Sequence, residues 1–116
     1  MTDHVRIARG NLYLDHALCE RYFEGISSVA MLLRDGQVLM LPLRGPAAGG
    51  LLLKIRNIRG DRVVHADEFL RSLGIPPEAP ECAVAIQWLP EAGGLLLDQV
   101  TSRVAGSTLP TTATDN

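Results

Sequence analysis

The pattern Arg-Gly-Asn/Asp occurs twice in this chain, at Arg9-Gly10-Asn11 and Arg59-Gly60-Asp61, fifty positions apart and each time followed by strand-forming residues. A repeat of that length divides the chain into two supersecondary units, neither of which can bury its apolar face alone. Arg21 and Arg71 keep the same interval. Behind each turn lies a short helical pattern, 15–24 in the first copy and 66–73 in the second, and each stops at Gly followed by Ile, Gly25-Ile26 and Gly74-Ile75. Glycine just past the last turn accepts the left-handed conformation that closes a helix. A strand containing Val29-Ala30-Met31 follows in one copy and one containing Val84-Ala85-Ile86 in the other.

Each copy therefore reads as hairpin, helix, hairpin. Gly10-Asn11 and Gly60-Asp61 are expected as two-residue connections with Gly leading, as in a type II′ turn. Asp35-Gly36 is expected as a type I′ hairpin, and Pro90 to Gly94 as a longer loop. Leu18, Cys19, Tyr22 and Phe23 share one helix face, and Phe69, Leu70 and Leu73 share another, so Leu18, Tyr22, Phe23, Phe69, Leu70 and Leu73 are expected to be largely buried, with Cys19 packing as a small apolar residue in the same face. Helices this short must cover a sheet to be stable. The expected fold is α+β and β-rich: two tandem hairpin-helix-hairpin repeats, 1–43 and 51–100, interleaved as one pseudo-twofold β-barrel with 5–9 and 51–59 paired or adjacent. A Pro/Gly-rich linker, 44–50, joins them, with the connector composition beginning at Pro42. Residues 101–116, rich in Thr, Ser and Gly, are expected to be a disordered tail.

Composition bounds the function. The chain has 116 residues, 47% of them apolar, enough for one compact domain rather than two. Eleven basic against thirteen acidic side chains leave a charge of −2, so there is no wholesale attraction for phosphate or anionic lipid. Aromatic residues are scarce at 4%, which argues against the stacking platforms of single-strand binders. Cys19 and Cys82 are the only cysteines, and no run approaches the ~20 apolar residues of a membrane span. A cytoplasmic protein with reduced thiols and no membrane association is the expectation.

The second copy, Gly60-Asp61-Arg62-Val63-Val64-His65-Ala66-Asp67-Glu68-Phe69-Leu70-Arg71-Ser72-Leu73-Gly74-Ile75, resembles the AbrB-type swapped-hairpin domain, whose sequence runs GRVVIP, an amphipathic ELR helix, LGI and two strands. The resemblance implies a small barrel in which two copies interleave their hairpins, normally from two chains. With both copies in one chain, as in MraZ-like members, it implies an intramolecular pseudo-dimer and a DNA-binding role in transcription regulation. The family's proline at the helix start is replaced by Ala66 in one copy and His16 in the other, which costs little because Pro there is helpful but optional. The phrase Leu51-Leu52-Leu53-Lys54-Ile55-Arg56-Asn57 ahead of Gly60-Asp61-Arg62 is similar to small accessory proteins encoded beside nickel-iron hydrogenases. That second likeness implies an assembly or maturation factor that binds no nucleic acid.

Charge is segregated along the chain. Arg44, Lys54, Arg56, Arg59 and Arg62 against Asp61 give +4 over residues 44–62, leaving −6 elsewhere. Lys54 and Arg56 share a face if that stretch is a strand, and Arg59 and Arg62 flank the Gly60-Asp61 turn. Arg9, Arg21 and Arg71, at repeat-related positions, extend the patch. Arg9, Arg21, Lys54, Arg56, Arg59, Arg62 and Arg71 are therefore the candidate contacts to duplex DNA or to an acidic protein partner, the plain alternative being an edge hairpin charged against aggregation. His16 and Cys19 are three apart on a helix, a spacing that suits metal ligation, with His65 and Cys82 as completions; a closed zinc site wants a close pair in each half, and no second pair exists. No nucleophile elbow and no phosphate-cradling Gly-rich loop is present, so neither an enzyme nor a cofactor is expected.

Overall fold

A computed structural model describes residues 3–44, 50–98 and 100. The chain runs β1 His4–Ala8, β2 Asn11–Leu14, α1 His16–Tyr22, β3 Ser28–Arg34, β4 Gln37–Leu43, β5 Leu51–Leu52, β6 Lys54–Ile55, β7 Arg62–His65, α2 Asp67–Ser72, β8 Cys82–Leu89 and β9 Gly94–Leu97. The linker residues 45–49 and the tail from 101 onward lie outside the described residues. Pro42 and Leu43 belong to β4, paired with Val29 and Ser28, so the connector composition that begins at Pro42 overstates the break.

The strands form an antiparallel sheet in the order β5-β3-β4-β9-β8-β1-β2-β7-β6. Its two edges, β5 and β6, are separated in sequence by Leu53 alone. Segment 51–55 thus lies along β3 at one end and along β7 at the other, and the sheet is nearly closed into a barrel. Val5, Leu12, Leu14, Val29, Met40, Val64, Val84 and Leu95 fill the interior, and α1 and α2 add Leu18 and Leu70 to the same core.

Strands of the two halves pair with each other: β1 with β8, β2 with β7, and β5 with β3. Segments 5–9 and 51–59 do not pair, because β2 and β7 stand between β1 and β6. They approach each other instead through Arg6, Arg9 and Arg56 around Tyr13 and through Val5, Ile7 and Leu53 in one core cluster.

The helices match the sequence pattern. Asp15 caps α1 by accepting a 2.9 Å hydrogen bond from the Leu18 N–H, and Gly25 and Gly74 carry the positive φ of the helix stop. Asp35 and Gly36 both have φ above zero, as a type I′ turn requires. The first turn differs from expectation: its central residues are Arg9 and Gly10, φ 54° and 79°, which is again the type I′ pattern. The turn expected at Gly60-Asp61 is a six-residue loop, 56–61, closed by the Arg56 N–H on the Asp61 carbonyl at 2.9 Å. Asn57 causes the difference, since its Oδ1 accepts from the N–H of both Gly60 and Asp61 and supplies a turn of its own. Phe69, Leu73 and Tyr22 are half-buried at the core's margin rather than inside it.

Candidate functional site

Directly opposed residues of antiparallel strands point to the same face. Ile7, Leu12 and Val64 form an inward row, so the neighbouring row Arg6, Tyr13, Val63 and Lys54, running across β1, β2, β7 and β6, points outward. Tyr13 organises this outer face. The guanidinium carbons of Arg56, Arg6 and Arg9 lie 4.8, 4.9 and 5.6 Å from its ring centroid. Its hydroxyl oxygen accepts from Arg9 Nη2 at 3.0 Å and from Asn11 Nδ2 at 3.1 Å. The Asn11 hydrogen bond lowers the phenol's pKa against the opposing effect of burial, helped by the hydrogen bond and charge of Arg9 and by the charge of Arg56.

Each cation over an aromatic face gains about 0.5–1 kcal/mol at an exposed site, which offsets part of the repulsion among three gathered guanidinium groups. Arg6 is further neutralised by Glu81 at 3.0 Å. Arg9, Arg56 and Lys54 make no ion pair among the described residues. Beside them lies an open groove of about 480 Å³ whose lining includes Arg6, Tyr13 and Arg56 as well as Asp3, Asp15 and Asp61.

The other candidates fall elsewhere. Arg59 donates through Nε and Nη2 to Asp61 Oδ2 at 3.2 and 2.9 Å. Asp61, only 6% exposed, also accepts from Asn57 Nδ2 and from the His16 N–H, each at 2.9 Å, so it fastens the 56–61 loop to the start of α1. These donors, Asn57 first and then Arg59, hold its carboxyl well below the usual carboxylate range. Arg62 sits opposite Leu14 in the register and therefore on the inward side of β7. It donates to the Leu53 carbonyl at 3.2 Å, and its Nε is buried with no hydrogen-bond partner among the described residues. Arg21 pairs with Asp3, and Arg71 with Asp67 at 2.9 Å one helical turn away.

Of the seven candidate residues, then, Arg9, Lys54 and Arg56 reach the shared outer face, while Arg21, Arg59, Arg62 and Arg71 are engaged at other places. Arg6 and Tyr13 were missed from sequence. Their shared parity with His4 and Asn11, on either side of the Arg9-Gly10 turn, is the signal that could have placed them on the outer face. Cys19, three positions after His16, is buried, its thiol pushed up to about 11 by that burial. Among the described residues no group of three or more His, Cys, Asp or Glu gathers where it could hold a metal ion. No described helix is long and apolar enough to cross a membrane.

No family model matches the chain, and no curated protein or solved structure shows a significant match to it.

Proposed function

We propose that this protein is a non-enzymatic, AbrB-like regulator that contacts duplex DNA through the outer face of β1, β2, β7 and β6. The observation that carries the reading is the gathering of Arg6, Arg9 and Arg56 around Tyr13, with Arg9, Arg56 and the adjoining Lys54 lacking a carboxylate among the described residues. Cations so placed are stabilised by an incoming phosphate, which supplies the missing counter-charge through charge-assisted hydrogen bonds. Tyr13 itself does not read bases by stacking, since guanidinium groups crowd its ring.

Two tandem repeats folded as an intramolecular swapped-hairpin pseudo-dimer form part of the same proposal. The exchange of strands supports it, β1 with β8 and β5 with β3, as does the β2–β7 register, in which Asn11 opposes His65 and Tyr13 opposes Val63. The turn glycines are also exchanged. Gly10 lies against Asp67 at the start of α2, and Gly60 against His16 at the start of α1.

An anisotropy titration of mixed-sequence duplex at low salt tests the reading, with Arg9→Ala and Arg56→Ala as the decisive variants. A second reading, a protein-binding accessory factor without nucleic-acid affinity, is favoured by the exposure of the large apolar residues Leu52, Ile55 and Ile58 within residues 52–58. Loss of partner capture on Ile55→Ser and Ile58→Ser, without any duplex binding by the wild type, would select it.

A further inference from the structure

We propose that the groove beside Tyr13 binds a free phosphorylated polyol, of the sugar-phosphate class. Its volume, about 480 Å³, lies within the range of small-molecule sites. Two kinds of recognition group line it. Arg6 and Arg56 present guanidinium groups held by the Tyr13 ring, and Arg56 has no carboxylate partner among the described residues. Asp3, Asp15 and Asp61 add carboxylates to the same lining.

The carboxylates differ in what they have left to offer. Asp61 is saturated by Asn57, Arg59 and the His16 N–H. Asp3 is paired with Arg21 through Oδ2. Asp15 uses Oδ1 to cap α1, and its Oδ2 has no partner among the described residues. Such a carboxylate oxygen accepts hydrogen bonds from hydroxyl groups but repels phosphate, so a lining that holds both guanidinium groups and a free carboxylate oxygen favours a ligand that carries an anion and hydroxyls together. Guanidinium groups already occupy the Tyr13 ring, and beside it the lining offers a base no Phe, Tyr or Trp face, only the small His4 imidazole, so the phosphate and hydroxyl contacts rather than a nucleobase set the affinity expected there. Ala83 of β8, the residue opposite Arg6, is small enough to leave the floor open.

The site shares Arg6, Tyr13 and Arg56 with the proposed DNA face, but its test contains no DNA, so the two readings fail separately. Ribose 5-phosphate, inorganic phosphate and adenosine monophosphate are each titrated into the full chain, with binding followed by backbone amide shifts. Ribose 5-phosphate is expected to saturate with a dissociation constant near or below about 1 mM, with shifts confined to the neighbourhood of Arg6, Tyr13, Asp15 and Arg56, and to bind more tightly than inorganic phosphate. Adenosine monophosphate should gain no more than the ribose phosphate does. Arg56→Gln should weaken the sugar phosphate by about tenfold or more, the effect of removing a hydrogen bond to a charged group. Asp15→Asn keeps a competent helix cap and should abolish the preference for ribose 5-phosphate over inorganic phosphate. Arg71→Gln, outside the groove, should change nothing. Absence of saturable binding overturns the proposal. So does equal binding of sugar phosphate and phosphate by the wild type, or an unchanged constant in Arg56→Gln. Duplex titrations on the same protein report separately on the DNA reading.

Discussion

Tyr13 of β2 lies directly opposite Val63 of β7, fifty positions along the sequence. Under the proposed pseudo-dimer, that pair marks where a local twofold axis would cross the sheet. The outer row through this pair ends in Arg6 on one side and Lys54 on the other, so the cations flank the same point.

If the halves depend on each other as these ladders require, residues 51–100 alone lose β2 from beside β7 and β1 from beside β8. That fragment is expected to be unfolded, or to recover its missing neighbours by dimerising. Circular dichroism with sedimentation equilibrium decides the matter, and a folded monomeric fragment contradicts the interleaved arrangement.

Leu70 is 1% exposed whereas Phe69 is half-buried. Leu70→Ala should therefore cost about 2–5 kcal/mol, a large part of the ~5–15 kcal/mol available to a domain of this size. Phe69→Ala should cost less despite removing the larger side chain. Urea midpoints measure both, and the reverse order would place α2 on its wrong face.

Gly10 and Gly36 both have positive φ, 79° and 77°, so alanine at either carries a backbone cost of about 1–2 kcal/mol. A Cβ at Gly10 would in addition lie 2.8 Å from Asp67 Oδ1, while at Gly36 it meets nothing within 4 Å. Gly10→Ala is expected to melt below Gly36→Ala. Equal melting temperatures would mean that the first turn and α2 are not in contact.

Asp61 has a carboxyl held below its unfolded value, so the stability it contributes is fully present above the unfolded pKa and is lost as pH falls toward the folded one. Thermal melts should show the wild type losing stability below about pH 4, the unfolded value for Asp. Asp61→Asn should be less stable at neutral pH and flatter across that acid range. Parallel curves for the two proteins would show that the hold of Asn57 and Arg59 on this carboxylate is absent in solution.

The hairpins and helices were readable from sequence where local chemistry decides the backbone: Asp35-Gly36, the Asp15 cap, Gly25 and Gly74. The candidate site was readable only in part, because side-chain direction depends on loop length. Asn57 lengthens the second turn to six residues, which takes Arg59 onto Asp61. Pairing with Leu14 in turn directs Arg62 inward. Tyr13 escaped notice for a different reason. Its role comes from Arg56, forty-three positions away in sequence, and nothing local to Tyr13 announces that contact.

The most direct measurement is the salt dependence of duplex binding. Each neutralised phosphate contributes about −0.9 to the slope of log affinity against log salt, so contacts from Arg9, Lys54 and Arg56 predict a slope near −2.7. Arg9→Ala and Arg56→Ala should each weaken binding and flatten the slope by about one unit, and Arg62→Ala, whose side chain points inward, should leave the slope unchanged. A wild type that binds no mixed duplex at tens of micromolar protein in low salt, or a slope indifferent to Arg9 and Arg56, would contradict the account.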